Sequence, residues 1–382
     1  MANFAFIFHP IKFDDIFFGL GTPPVLNALV KAFPRSTVKS FFRNVPPFSL
    51  FQVKKICSLI GNEVDGDGIV LPLLPDQFVS EPETLILDKI VAAGKLAEKR
   101  GASIIGLAGF TSIIGNEGHE VSEQLSIAVT SGNTFTASLA TRGLLKASRI
   151  MGIRLEEASI AVIGATGDIG SACATILADL APNMILAARN EERLEEFAKK
   201  LRKEKRVNVE VTKYPKDAAR KADLILTATS AITTIIEPKH LKPGAVLCDV
   251  ALPANIAKEV SLLRDDILVF EGGLARIPFP ERARGKNWHR LFPGGIIHGC
   301  LGETIILALE GRLEDFSVGR GNITKAKIDE IERLSRKHGF ELAPLSCAGI
   351  AFSDARIKDI AKRRSQDRGV KVFNISKLAN ES

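Results

Sequence analysis

Tyrosine and tryptophan are nearly absent: Tyr214 and Trp288 stand alone among 382 residues. A catalytic Tyr-x-x-x-Lys pair is excluded, because Ala218 occupies the position four residues after Tyr214. The five cysteines, Cys57, Cys173, Cys248, Cys300 and Cys347, are odd in number and widely spaced, with no C-x-x-C. Neither a disulfide framework nor a zinc site is expected, and a reducing cytoplasm is the natural compartment. His9, His119, His240, His289, His298 and His338 are mostly isolated and give no metal-ligand spacing, so no metal is expected. No apolar run reaches about 18 residues, so no membrane-spanning segment is expected. The first ten residues lack a basic region and a small-residue cleavage site. Their alternation predicts a strand rather than a signal peptide.

What remains is an ordinary globular balance, 46% hydrophobic and 25% charged, in a chain long enough for about two to three domains. Two skews stand out. Eleven of the 22 phenylalanines fall within the first 51 residues, and the net charge is +7. The charge is local. Ala351–Ser382 carries eight Lys/Arg against four Asp/Glu, and Arg276–Arg290 carries five against one, so the rest of the chain is slightly acidic. A polar tail and a short loop are not a nucleic-acid reading surface, and no nucleic-acid partner is expected. The phenylalanines allow three readings: a packed core, a channel for an apolar ligand chain or a partner-facing patch.

The first 100 residues read as an α/β region with Pro-rich loops. They contain a helix over Leu85–Lys99 that stops near Gly101. A buried strand is predicted at Ile104–Leu107 and a helix from Thr134 to about Arg149. From Ser159 strands and helices alternate regularly. Strands fall at Ile160–Ile163, Met184–Ala187, Leu224–Thr227, Ala245–Cys248 and Ile267–Phe270, and helices at Ser171–Leu180 and Glu191–Arg206. The expected fold is α/β: a Rossmann-type doubly wound parallel sheet, an N-terminal α/β substrate domain and a C-terminal helical segment. The boundaries fall at 1–152 for the substrate domain and 153–297 for the nucleotide domain. A helical segment follows at 298–350 and a basic tail at 351–382.

Gly164-Ala165-Thr166-Gly167-Asp168-Ile169-Gly170 follows a strand and opens a helix. Such a turn lets the backbone approach a pyrophosphate, whose charge sits at the helix N-terminus. After the second strand, where an acid would bind the 2′-hydroxyl of NAD, stand Arg189 and Asn190, with Arg193 one turn on. Guanidinium groups pair with a 2′-phosphate, so the expected cofactor is NADPH. Further along, His298-Gly299-Cys300-Leu301-Gly302-Glu303-Thr304 leads into an apolar helix, which places Cys300 in its first turn. There the helix dipole is expected to lower the thiol pKa, with His298 or the basic loop lowering it further. The alternative is a buried structural cysteine.

Several of these segments, taken together, resemble the long-chain acyl-[acyl-carrier-protein] reductases. They are Phe110–Ile114, Gly132-Asn133-Thr134 with Thr136-Ala137, Gly164–Ala172, Ala188–Asn190 with Glu192–Leu194, and Gly272-Gly273. Cys300 with Glu303, Glu310-Gly311, Phe316-Ser317, Gly319-Arg320, Ile323-Thr324 and His338–Phe340 continue the match, which runs from about Gly101 to Leu345. The resemblance implies that Cys300 attacks a fatty acyl thioester of a carrier protein or coenzyme A, and that NADPH reduces the resulting enzyme thioester to a fatty aldehyde. It implies Cys300, Glu303 and His298 as catalytic candidates, although His298 departs from the apolar residue usual in the family. Thr229, Gly272 and Gly273 join the cofactor candidates. Asn133 and Thr134 are candidates for the substrate site near the nicotinamide or, alternatively, a helix cap. Arg282 and Arg284 would greet an acidic carrier. An aldehyde-consuming enzyme is a further partner to consider. Gly132-Asn133-Thr134 also resembles the shikimate-type dehydrogenases, but Phe135 replaces their aspartate. A shikimate-like NADP-dependent dehydrogenase and a non-catalytic nucleotide-binding protein are the alternatives.

Overall fold

Runs such as Ile104–Leu107, Ile160–Ile163 and Leu224–Leu226 are apolar throughout and fully buried, the pattern of parallel strands covered on both faces. A computed structural model describes residues 3–12, 33–232, 235–254, 256, 260, 263–285 and 287–364. Its main elements, in chain order, begin with β1 (Phe4–Phe8), β2 (Phe48–Cys57), β3 (Glu63–Val70), α1 (Glu83–Lys99), β4 (Ile104–Leu107), β5 (Ala128–Thr130) and α2 (Asn133–Ile150). Next come β6 (Ser159–Ile163), α3 (Asp168–Leu177), β7 (Asn183–Ala187), α4 (Glu191–Lys205), β8 (Asn208–Thr212), β9 (Leu224–Thr227), β10 (Val246–Asp249) and β11 (Leu268–Glu271). β12 (Leu274–Arg276), β13 (Ile296–His298), α5 (Gly299–Glu310), α6 (Lys325–His338) and β14 (Glu341–Leu342) follow.

The chain divides into two units, neither contiguous in sequence: Met1–Leu139 with Gly273–Ala343, and Ala140–Gly272 with Pro344–Ser382. The first unit holds a five-stranded sheet ordered β2-β3-β1-β4-β5, parallel except for the antiparallel β2–β3 pair. A small antiparallel sheet, β13-β12-β14, leads into α5. Phe4, Phe6 and Phe51 share one core with Leu301, Ile305 and Ile306 of α5, and Cys300 packs at its margin. These phenylalanines are core residues. Phe33 and Phe41 are exposed, whereas Phe13, Phe17 and Phe18 lie outside the described residues.

The second unit is a six-stranded parallel sheet ordered β11-β10-β9-β6-β7-β8. Numbered from β6, this is the 3-2-1-4-5-6 order of a dinucleotide-binding fold, with the strand order reversing between β6 and β9. The Rossmann-type α/β architecture is thus present as expected. α3 starts at Asp168, three residues before the position read from the sequence. Gly170 looked like part of the turn but is helical. It is glycine because a Cβ there would lie 2.1 Å from the Gly164 carbonyl oxygen. α4 begins where the side chain of Asn190 accepts the Arg193 N–H at 2.9 Å, a cap worth about 1 kcal/mol. Its acids come first and its bases last, matching the dipole. The basic tail is described only as far as residue 364.

Candidate active site

The turn Gly164–Gly170 sits at the carboxyl end of β6, where the strand order reverses. Gly164 has φ +88°, and a Cβ on it would fall 2.2 Å from the Ala228 carbonyl oxygen. Gly167 caps α3 in an extended conformation and offers no side-chain oxygen, so the positive end of the helix faces the turn without a side-chain cap from Gly167. Those residues fit a pyrophosphate. Ala165 and Asp168 are buried, while Thr166 and Ile169 are half-buried. Thr229, half-buried beyond β9, borders the turn: its methyl carbon would lie 2.9 Å from a Cβ on Gly164. Arg189, Asn190 and Arg193 are exposed at the end of β7 and the start of α4, with no acid at the position after the strand. That arrangement fits a 2′-phosphate. Gly272 closes β11 against β10, where a Cβ would lie 2.4 Å from Cys248 Sγ.

Cys300 is the second residue of α5. The helix starts from extended backbone at His298, and the Gly299 N–H donates to the Gly273 carbonyl at 2.7 Å. Gly273 therefore helps anchor the helix that carries the thiol. The Cys300 side chain is half-buried and is approached by its own N–H and that of Leu301, both of which favour the thiolate. Burial outweighs them, and the Glu303 carboxylate adds to it, so the thiol is pushed up to about 12. This overturns the expected lowering. The helix start does act in the expected direction, but desolvation is larger. His298 is exposed, yet the protein mass around it penalises the charged ring and lowers its pKa. The imidazole is accordingly neutral near pH 7.

The wall facing Cys300 is the segment leading into α2. Gly132 has φ +71°, and a Cβ there would lie 2.1 Å from Cys300 Cα. Glu303, one turn along α5, is fully buried. It accepts hydrogen bonds from Thr130 Oγ1, from Ser317 Oγ at 2.6 Å and from the Phe135 N–H at 2.7 Å. Burial raises its pKa against the opposing pull of these bonds. Thr134 is fully buried and its hydroxyl is engaged with Ser317 Oγ at 2.6 Å. Asn133 is buried beside it. Phe135 fills core space, so no carboxylate stands at the position that matters in the shikimate-type enzymes.

Arg282 and Arg284 are exposed, and the Arg282 guanidinium lies 4.4 Å from the Phe279 ring centroid. Arg284 pairs through its backbone with Lys54 at 2.9 and 2.6 Å, which ties the basic loop to β2 at the sheet edge. Cys300, His298, Glu303, Asn133 and Thr134 are thus brought together in the first unit. The phosphate turn, Arg189, Arg193 and Thr229 are brought together in the second. Thr130 and Ser317 were not recognised from sequence; only Ser317 fell within a resembling segment. Among the described residues no group of three His, Cys, Asp or Glu side chains could hold a metal ion, and no helix is long and apolar enough to cross a membrane.

The second unit thus defines an oxidoreductase-type dinucleotide-binding fold, and the sequence pattern of the Shikimate / quinate 5-dehydrogenase family matches residues 145–270. The chain is 31% identical over 326 residues to the long-chain acyl-[acyl-carrier-protein] reductase of Synechococcus elongatus, covering 81% of this chain and 90% of that protein. It belongs to that reductase's family. It is also 32% identical over 325 residues to the aminotransferase PigE of a Serratia species. That match covers 85% of this chain but only 37% of the longer PigE. L-tryptophan dehydrogenase from Nostoc punctiforme aligns over 95% of this chain and 88% of its own, at 13% identity and a TM-score of 0.40.

Proposed function

We propose that this protein reduces a long-chain fatty acyl thioester to the fatty aldehyde, with Cys300 carrying the acyl group and NADPH as the reductant. The observation that carries the proposal is the setting of Cys300. It opens a 12-residue helix, with two backbone N–H groups at its thiol and a glycine wall opposite. Family membership supports the same chemistry.

The Cys300 thiol gives up its proton as sulfur attacks the thioester carbonyl. The carbon–sulfur bond to the carrier then breaks, and the carrier thiol takes a proton. Neutral His298 is the group proposed to accept and return that proton. The N–H groups at the start of α5 stabilise the developing oxyanion. Gly164–Gly170 and Thr229 would hold NADPH, with Arg189 and Arg193 on its 2′-phosphate, and the bound cofactor would supply hydride. Reduction of the Cys300 thioester by that hydride, with one proton taken from solvent, would release the aldehyde and return the Cys300 thiol. Arg282 and Arg284 are proposed to attract the acidic carrier, whether a carrier protein or coenzyme A. Five free thiols suit a reducing compartment such as the cytoplasm. Replacing Cys300 by alanine and looking for the acyl-enzyme is the test, set out at the end of the Discussion. A shikimate-like dehydrogenase is disfavoured by Phe135, which leaves no carboxylate for alcohol oxidation.

A further inference from the structure

Glu303 draws three donors from two separated stretches of the chain. Thr130 closes β5, Phe135 lies in the first turn of α2, and Ser317 follows α5. Both carboxylate oxygens are used: Oε1 accepts from the two hydroxyls and Oε2 from the Phe135 N–H. A second layer ties the same stretches together. Ser131 Oγ donates to the Ser317 carbonyl at 2.5 Å, Thr134 Oγ1 meets Ser317 Oγ at 2.6 Å, and the Gly132 N–H donates to Thr130 Oγ1 at 3.3 Å. One carboxylate therefore holds the segment Thr130–Phe135 at both ends. The middle of that segment, Gly132, is the residue pressed against Cys300.

A general acid or base needs an oxygen that can reach the reacting atoms. Glu303 is fully enclosed, and both its oxygens are occupied. We infer that Glu303 is a positioning residue, which clamps the Thr130–Phe135 segment to α5 and so fixes the wall beside the Cys300 thiol, without exchanging protons with the substrate. The inference rests on the proposed acyl transfer to Cys300. A neutral isostere can preserve the clamp. A glutamine oxygen would accept from the Phe135 N–H, and its amide would donate to hydroxyls that accept as readily as they donate.

The test follows formation of the Cys300 acyl adduct by intact mass, with acyl thioester and no NADPH, in the wild type, Glu303→Gln and Glu303→Ala. Thermal melts establish that each is folded. Glu303→Gln should acylate within about threefold of wild type. Glu303→Ala should be slower by at least about tenfold, with kcat falling and the NADPH KM unchanged, because sub-ångström misplacement is felt chiefly in the chemical step. A folded Glu303→Gln that loses about a hundredfold or more would reveal a proton-transfer role and overturn the inference, as would Glu303→Ala acylating at the wild-type rate. Where Glu303→Ala does not fold, Ser317→Ala removes the hydroxyl's bonds to Glu303 and Thr134 and no charge. It should slow the same step, and an unchanged rate would overturn the clamp. If wild-type protein takes an acyl group from no thioester, it is the proposed function that fails. The clamp is then read from alkylation of Cys300 by iodoacetamide. Glu303→Gln should remain within threefold of wild type and Glu303→Ala should fall outside that range; equal rates in all three would overturn it.

Discussion

A Cβ on Gly132 would lie 2.1 Å from Cys300 Cα and 2.4 Å from its Cβ, so the residue opposite the candidate nucleophile has to be glycine. Its φ of +71° adds a backbone penalty of about 1–2 kcal/mol for any L side chain. Gly132→Ala should lower the thermal midpoint and cut aldehyde formation by at least about tenfold, since α5 or the facing segment has to shift. A variant with unchanged melting and unchanged turnover would show that the two segments are not in this register.

Burial pushes the Cys300 thiol up to about 12, so at pH 8 roughly one thiol in ten thousand is ionised in the free protein. Alkylation of Cys300 should keep rising through pH 9 and 10 without a plateau. The proton then has to leave as the acyl carbonyl arrives, and His298, kept neutral by its lowered pKa, is the proposed acceptor. Acylation should weaken as the pH falls through that lowered pKa and the ring becomes charged. His298→Ala should slow acylation by about ten- to a hundredfold. A plateau in alkylation near pH 7 would indicate a pre-formed thiolate and remove the need for the base.

Arg189 and Arg193 stand exposed where an acid would select NAD. Arg189→Glu should raise the KM for NADPH by about tenfold or more and leave that for NADH unchanged or lower, the loss expected for one charge-assisted phosphate contact. Equal changes for both cofactors would place the 2′-phosphate elsewhere.

His9 is enclosed beside Phe78 and Phe110. It accepts the Phe110 N–H at Nε2, and its Nδ1 lies 2.9 Å from the Pro10 carbonyl. Burial lowers its pKa to about 4, against 6.5 for an ordinary histidine. Because the folded value is depressed, the stability it supports is complete above about pH 6.5. That stability is lost as the pH falls towards 4, where the unfolded chain binds the extra proton. The contribution is about 3 kcal/mol. Denaturant unfolding at pH 7.5 and 4.5 should show His9→Gln losing about 2–3 kcal/mol less than wild type over that range. Parallel losses would mean that His9 titrates normally in the folded state.

The sequence carried the local features well. The turn opening at Gly164, the buried strands on either side of it and the start of α4 at Asn190 are set by neighbouring residues, and each formed where its pattern placed it. The start of α3 was displaced because Gly170 serves close helix–turn packing rather than the turn itself. The position of Cys300 in a helical first turn was legible for the same local reason. Its ionisation was not. The dipole is a property of the adjacent residues, whereas burial depends on what the rest of the chain brings up. The Glu303 clamp was invisible for a related reason: Thr130 and Phe135 lie more than 160 positions before it. Nothing in either stretch marks the other. The pairing of the basic loop with Lys54 on the edge strand β2 was likewise out of reach of the sequence, since the two lie far apart along the chain.

The covalent role of Cys300 is most directly tested by intact-mass measurement after mixing the protein with a long-chain acyl thioester in the absence of NADPH. Wild-type protein should gain the mass of one acyl group. Adding NADPH should discharge that group as the fatty aldehyde, and Cys300→Ala should neither gain the group nor form aldehyde. Aldehyde formed by Cys300→Ala at the wild-type rate, or turnover by wild type with the acyl group on another residue, would contradict the mechanism.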